Sequence, residues 1–205
     1  MLTIIRKSIA ASILIGLGVF ALLTLGTPLG AFLFAFGLMG VCALHADLFT
    51  GQIGFLFENK IKLRKIITIL CSNLVAGYAF GALLHYANPE IVEAATAKAG
   101  ALAITPEFFI QGLLCGAVMY LAVKMFKEGN VWGILLGIPL FILTGMQHCI
   151  ANVIVGGVAL EYSPAFWGAL GVNVLANTLG SIGLSHLLKE GKKKKINNRK
   201  RKIIK

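Results

Sequence analysis

Long apolar stretches alternate with short polar segments along most of the chain. A helix that spans a bilayer needs about 20 mostly apolar residues. Six stretches approach or reach that length, at 8–25, 29–44, 66–86, 107–126, 132–145 and 164–188. Their continuous apolar character is typical of helices surrounded by lipid rather than by water. We predict an all-α transmembrane protein with six spans joined by short loops.

The second and fifth stretches differ from the others, because each meets a polar cluster and then continues as a short apolar piece. The interrupting residues are His45, Asp47, Thr50, Gly51 and Gln52 in the second stretch and Gln147, His148 and Asn152 in the fifth. The apolar continuations lie at 53–57 and 153–160. Non-helical backbone inside a membrane is tolerated only where it is buried in protein or lines a cavity. We therefore predict two broken helices that line a lumen.

The two breaks lie about a hundred residues apart, each in the middle member of a group of three stretches. Three spans per half require the halves to insert with opposite topology. Discontinuous helices at matching positions of two halves indicate a pore or transport site at the repeat interface. The predicted architecture is thus two inverted three-helix repeats with broken second and fifth helices, which meet near the midplane.

Composition leaves no room for a soluble domain, since 58% of the 205 residues are hydrophobic and only 13% are charged. We expect one transmembrane channel domain at 1–190 and a basic, disordered tail at 191–205. The net charge of +11 is concentrated at the carboxyl terminus, because ten of the 19 basic residues fall at or after Lys189. Such a cluster is attracted to anionic membrane lipid, so we expect lipid and not nucleic acid as its partner.

Basic residues are distributed very unevenly between the two predicted sides of the membrane. Eighteen lie at the amino terminus, in 60–65, in the turn at 124–127 and in the tail, whereas the other side holds Lys98 alone. The excess of Lys and Arg marks the cytoplasmic side. We predict a multi-pass protein of the cell inner or plasma membrane, with both termini cytoplasmic and the loop 87–106 external.

Catalytic and metal-binding signatures are not found in the sequence. The predicted spans carry no paired carboxylates, no cluster of metal ligands and no nucleophile beside a base, which are the features expected of an active site. We therefore expect no enzyme, no cofactor and no metal.

The sequences at the two breaks resemble those of a known family. Ala46-Asp47-Leu48-Phe49-Thr50-Gly51 resembles the loop motif of the formate/nitrite transporter family, and Gly145-Met146-Gln147-His148-Cys149-Ile150-Ala151-Asn152 resembles its fifth-segment motif. Weaker similarity extends from about 8 to 188. The chain departs from the usual motifs at Gln52, Gly116, Gln147 and Ser181. The resemblance implies an aquaporin-like protomer, a homopentamer with one pore per protomer, and transport of small monovalent anions, often coupled to a proton.

Among the candidate pore residues, His148 is expected to act as the central proton donor. An imidazole changes charge near physiological pH, so it can donate a hydrogen bond or offer a proton. The structural alternative is a histidine that bonds to the opposite break and holds it in place. Thr50 can orient the permeant or bond to His148. Leu48 and Phe49 flank it as apolar gates that dewet when closed, although ordinary packing explains these two residues equally well.

Two further candidates lie away from the centre. Lys98 is expected to attract anions into an external vestibule. Asn152 is the one intramembrane asparagine expected to contact the permeant. The remaining three are expected to tie helices to the breaks: Asn73, Asn173 and Asn177.

Two functions remain open from the sequence. The first is a channel for small monovalent anions or their conjugate acids, of the formate, nitrite or hydrosulfide class. The alternative is an aquaporin-like channel for small neutral solutes such as water, urea or ammonia, which the departures at Gln52, Gly116 and Gln147 favour.

Overall fold

The structure is a computed structural model that describes residues 1–58 and 61–203, with side chains described at 1–58 and 61–188. Over this part of the chain it is entirely helical, with two short 3₁₀ turns at Ile53–Phe55 and Pro89–Ile91. The α-helices are α1 (Leu2–Leu25), α2 (Leu29–Ala43), α3 (Phe49–Gln52), α4 (Leu63–Ala87), α5 (Val92–Gly100), α6 (Pro106–Lys127), α7 (Trp132–Leu143), α8 (Cys149–Val158) and α9 (Pro164–Ile203).

Helix length separates two kinds of element. The long apolar helices are α1, α4, α6 and the Pro164–Leu188 part of α9, each long and apolar enough to cross a bilayer. The shorter apolar helices α2, α7 and α8 have 10 to 15 residues. A helix of 15 residues is only about 22 Å long, so these pieces cover only part of the roughly 30 Å hydrocarbon core.

Both interruptions predicted from the sequence are present, and they have the same backbone geometry. α2 ends at Ala43 and α3 begins at Phe49, while α7 ends at Leu143 and α8 begins at Cys149. In each break the residue four positions before the half-helix has a left-handed backbone conformation. These residues are His45, with φ 52°, and Gly145, with φ 75°. The next amide then bonds back to the carbonyl five residues earlier, at 2.9 Å in both breaks. This hydrogen bond is typical of a helix that ends at a left-handed residue.

Close backbone contacts fix the helices that carry the breaks. A Cβ atom at Gly81 of α4 would overlap the carbonyl oxygen of Ile154 in α8, and one at Gly157 would overlap the carbonyl oxygen of Tyr78. Without side chains at these two positions α4 and α8 pack backbone against backbone, as small residues permit in membrane helices. The position of α8, and of the break at its amino end, is therefore set by α4.

Several boundaries differ from the predicted ones. The loop 87–106 contains the turn Pro89–Ile91 and helix α5, so Lys98 lies in the last turn of a helix rather than in a loop. This helix escaped prediction because its short, alanine-rich sequence lacks a long apolar face. The first stretch is helical from Leu2 rather than from 8. The disordered tail at 191–205 stays a prediction: the backbone of α9 extends to Ile203, but all side chains after Leu188 lie outside the described part.

Candidate functional site

Two cavities lie next to the two breaks. The first-break cavity has a volume of about 530 Å³ and contains Leu48 and Gln52 in its wall. The second-break cavity has a volume of about 280 Å³ and contains His148 and Asn152 in its wall. Each is therefore built around the amino end of one half-helix, α3 or α8.

The walls of the two cavities use matching positions of the chain. Eight positions of the first-break cavity recur one hundred residues later in the second: 41, 42, 45, 46, 47, 48, 51 and 52 pair with 141, 142, 145, 146, 147, 148, 151 and 152. Each cavity is also lined by two residues of a long helix, Val123 and Phe126 of α6 in the first cavity and Val19 and Leu22 of α1 in the second. Each cavity thus combines one break with one long helix.

Between the cavities, Thr50 and His148 are in direct contact. The Thr50 Oγ1 atom lies 2.9 Å from His148 Nε2, and the two residues are 0% and 2% exposed. Thr50 is in the first turn of α3 and His148 is the residue that caps α8. The bond therefore joins the amino ends of the two half-helices, next to Leu48 and Gly51 of the first-break cavity and to Ala151 of the second.

The partner of the second imidazole nitrogen identifies which nitrogen carries the proton. His148 Nδ1 accepts a hydrogen bond from the Ala151 backbone N–H at 3.0 Å. A nitrogen that accepts has no hydrogen of its own, so a neutral His148 carries its hydrogen on Nε2. Nε2–H then donates to Thr50 Oγ1, and the Thr50 hydroxyl hydrogen is free to point elsewhere. The site thus presents a hydrogen-bond donor at its centre without a formal charge.

Aromatic rings surround His148 on the side of the second-break cavity. The Phe141 ring stacks on the imidazole with centroids 5.8 Å apart, and the Phe34 ring meets Phe141 edge-on, also at 5.8 Å. Both phenylalanines line this cavity. The sequence analysis missed them because they lie inside uniformly apolar helices. Nothing in the sequence around Phe34 or Phe141 marks either ring as part of a site.

Two buried asparagines hold the breaks in place. Asn73 Oδ1 accepts from the Phe49 N–H at 2.8 Å, and its amide nitrogen donates to the carbonyls of Asp47 at 3.2 Å and Ser8 at 2.9 Å. Asn177 repeats this pattern in the other half. Its Oδ1 accepts from the N–H of residue 149 at 2.9 Å, and its amide nitrogen donates to the carbonyls of residues 147 and 112 at 2.8 Å each. The expectation that these asparagines tie helices to the breaks is confirmed.

A second pair of matched contacts differs in charge between the halves. In the first break, Asp47 Oδ1 accepts from Gln52 Nε2 at 2.6 Å and lies 3.5 Å from the Lys65 ammonium. In the second, Asn152 Nδ2 donates to Gln147 Oε1 at 3.0 Å. Asn152 also donates to Asn173 Oδ1 at 2.9 Å. An ion pair thus braces the first break, whereas neutral amides brace the second.

The charged side chains in the cavity walls are mostly cationic. Lys7 and Lys127 line the first-break cavity together with Asp47, and Lys98 lines the second-break cavity. The amino end of α8 also points its helix dipole at the second cavity, which favours negative charge there. Among the described residues, no group of three or more His, Cys, Asp or Glu side chains is arranged to hold a metal ion. The arrangement suits a small anion or polar solute.

The structure brings together most of the residues singled out in the sequence. Thr50 and His148 are bonded, Leu48 lines the first-break cavity, and Asn152 and Lys98 line the second. Phe49 is the exception. It is buried in the core at 2% exposure and is not among the residues lining either cavity, so packing explains its position better than gating does.

Comparisons with known proteins agree on one family. The model of the formate/nitrite transporter family matches residues 1–188. Formate channel FocA of Haemophilus influenzae is 25% identical over 170 residues, which cover 70% of this chain and 59% of that channel. The uncharacterized transporter YrhG of Bacillus subtilis is 27% identical over 179 residues, which cover 78% of this chain and 67% of that protein. The chain therefore matches less than two thirds of the length of the Haemophilus relative.

Two solved structures share the fold. An FNT family ion channel superposes with a TM-score of 0.70 at 24% identity, covering 88% of this chain and 86% of that one. A pentameric formate channel with formate bound superposes with a TM-score of 0.64 at 20% identity, covering 98% and 97%. The helical arrangement described above is that of these channels.

Proposed function

We propose that this chain, which belongs to the formate/nitrite transporter family, is a membrane channel for small monovalent anions or their conjugate acids. The formate, nitrite or hydrosulfide class fits best. The observation that carries the proposal is the Thr50–His148 contact between two separate cavities. In this proposal a small permeant that passes from one cavity to the other exchanges hydrogen-bond partners at this buried polar pair.

In the proposed mechanism the permeant replaces Thr50 as the acceptor of the His148 hydrogen bond. A bare anion in an apolar constriction pays a large desolvation cost, whereas its neutral acid pays only for its polar groups. His148 Nε2–H can stabilise the permeant as it loses water. Donation of the proton itself first requires a second proton on Nδ1, which breaks the cap to the Ala151 N–H. We infer that proton transfer from His148 is coupled to loss of this cap.

Apolar side chains on either side of the polar pair act as the gates in this proposal. Leu48 lines the first-break cavity, and Phe34 and Phe141 line the second. Narrow apolar constrictions exclude water and ions until they widen. We therefore assign gating to Leu48 and the two phenylalanines, and a packing role to Phe49.

We further propose that the chain folds as two inverted three-helix repeats with six spans. α1, α2 with α3, and α4 form the first half, and α6, α7 with α8, and α9 form the second. The matched cavity walls and the matched asparagine contacts support this assignment. The excess of basic residues then puts both termini and the first-break cavity on the cytoplasmic side, with Lys98 and the second-break cavity outside.

The proposed assembly is a homopentamer in the inner or plasma membrane. The support is the fold shared with a structure described as a pentameric formate channel. Residues 1–190 form the channel domain of each protomer, and the basic tail at 191–205 binds anionic lipid at the cytoplasmic surface.

Flux measurements in proteoliposomes test the function directly. We expect uptake of formate, nitrite or hydrosulfide that increases at the lower of two pH values. Stopped-flow permeability to water, urea and ammonia is measured on the same vesicles. Neutral-solute permeability that exceeds that of empty vesicles, without anion uptake, contradicts the proposal and favours a neutral-solute channel.

Matched threonine variants test the mechanism. Thr50→Val removes the acceptor of the His148 hydrogen bond and is expected to lower anion flux about tenfold. Thr178→Val removes a similar hydroxyl, which bonds only to its own helix at 2.7 Å, and is expected to leave flux within about twofold. His148→Ala is expected to behave like Thr50→Val. Wild-type flux in both pore variants would rule out the proposed role of this pair.

A further inference from the structure

The half-helix that carries Thr50 is much shorter than its counterpart. α3 and the following 3₁₀ turn together cover only Phe49–Phe55, whereas α8 covers ten residues. A helix this short has little stability of its own, since nucleation is unfavourable. Asn73 holds its amino end. The position of Thr50 therefore depends on what holds the other end.

A partly buried hydrogen-bond network lies at that other end. The carboxylate of Glu58 accepts from the Tyr120 hydroxyl of α6 at 2.6 Å and from the Ser185 hydroxyl of α9 at 3.0 Å. Tyr120 is 0% exposed and Ser185 is 5% exposed. Hydrogen bonds to an ionised group are shorter and stronger than neutral ones. Hydroxyl groups from two different helices thus donate to a single oxygen atom of Glu58.

Packing around the network joins the 3₁₀ turn to the same wall of α6. The backbone of Gly54 lies directly on the Tyr120 ring, where a Cβ atom would overlap it. The Phe55 ring lies 5.0 Å from the Tyr120 ring, and the Lys127 ammonium lies 3.6 Å from the Phe55 centroid. A cation at this distance from an aromatic face is attracted to it. The turn is thus held by polar and apolar contacts together.

The matching position in the other half is also held, by different chemistry. One hundred residues after Glu58, the carbonyl of Val158 at the end of α8 accepts from His85 Nδ1 at 2.7 Å. Both half-helices therefore have a polar contact at their far ends. In the first half the contact is made instead by the side chain of Glu58, three residues after the end of the 3₁₀ turn.

We propose that Glu58, through Tyr120 and Ser185, is a positioning residue that holds Thr50 against His148. Glu58 does not line either cavity, and in this proposal it acts through the position of the half-helix. The inference rests on the proposed function for its transport consequences, but the geometry that it predicts exists without any permeant.

Tyr120→Phe is the decisive variant, because it removes one hydroxyl and keeps the ring under Gly54. Tyr86→Phe is the matched control, since Tyr86 is 76% exposed. We expect Tyr120→Phe to lower flux about tenfold and the control to leave it unchanged. In a Thr50→Val background Tyr120→Phe should cost little more, because both changes disrupt the same contact. Losses that multiply in the double variant overturn the proposal.

A second readout does not depend on transport. NMR of the imidazole nitrogens, with His148→Asn to assign the signal, reports the hydrogen bond at His148 Nε2. Tyr120→Phe and Ser185→Ala should shift or broaden this signal, and Tyr86→Phe should not. An unchanged signal in folded Tyr120→Phe protein overturns the proposal. If Glu58→Leu fails to fold, the two milder variants still decide the matter. Absence of anion flux in the wild type counts against the proposed function alone.

Discussion

Removing the side-chain amide of Asn177 should destabilise the fold more than removing an amide that touches the cavity. Asn177 bridges the N–H of Cys149, the carbonyl of Gln147 and the carbonyl of Gly112, and it is 0% exposed. Asn177→Leu keeps the number of side-chain heavy atoms and their branching, and removes all three hydrogen bonds. The three backbone groups lie where neither water nor a regular helix can replace the lost partner.

The size of the effect follows from counting the groups that lose their last partner. The Gln147 carbonyl keeps a second donor, the Asn173 amide, at 2.8 Å. Gly112 lies inside α6, so its carbonyl also has a helical partner available. The Cys149 N–H is left without an acceptor. One orphaned buried group costs about 1–3 kcal/mol, and each of the two weakened carbonyls costs about 0.5–1 kcal/mol. We expect a total loss of about 2–5 kcal/mol.

The measurement is reversible unfolding in mixed micelles with increasing SDS, followed by the fluorescence of the two tryptophans. Asn73→Leu should cost a similar amount, because Asn73 makes the matching contacts at the first break. Asn152→Leu is the control. It removes only side-chain partners and should cost less than about 1 kcal/mol while lowering flux. If Asn177→Leu unfolds like the wild type, or no earlier than Asn152→Leu, the breaks are not held as described.

Three more predictions concern charge and packing. Lys65→Met should lower anion flux, because the Asp47 carboxylate beside the first-break cavity loses its ion-pair partner. Asp47→Asn in the same chain should restore the flux. If the double variant does not recover, Lys65 acts structurally. Lys98→Gln should lower anion uptake at low ionic strength and have little effect at high salt, because steering by an exposed charge is screened; a loss independent of salt would contradict steering. Gly81→Ala should destabilise the protein by about 1–3 kcal/mol, because the new Cβ atom would overlap the α8 backbone. The same SDS titration measures this loss. Gly171→Ala is the control, because Gly171 has open space around it, and it should be neutral or slightly stabilising.

The breaks were predictable because polar residues are expensive inside a membrane. His148 and Thr50 stand out against uniformly apolar neighbours, so their positions in the sequence are enough to mark an interruption. Matching breaks at similar places in the two halves then point to a shared site. The contact of 2.9 Å between the two side chains agrees with the idea that both breaks meet at one place.

The contacts that hold the site were less accessible to sequence analysis. Phe34 and Phe141 are apolar residues in apolar helices, and nothing in their neighbourhood distinguishes a ring that lines a cavity from one that faces lipid. Glu58 could not be singled out from the sequence, because its partners Tyr120 and Ser185 are 62 and 127 residues away in the chain. Such contacts depend on how the helices pack, which apolar periodicity does not specify.

The difference in charge between the two breaks bears on how the proposed channel would discriminate among solutes. The cavity walls use matching positions, yet the first break has Asp47 and His45 where the second has Gln147 and Gly145. The lining positions are therefore shared and the charges are not. A neutral solute is insensitive to this difference in charge, whereas an anion approaches an ion-paired carboxylate from one side and neutral amides from the other. Anion flux should consequently differ with direction at equal and opposite gradients, while the flux of a neutral solute should not. Equal anion fluxes in the two directions would mean that Lys65 neutralises Asp47 completely.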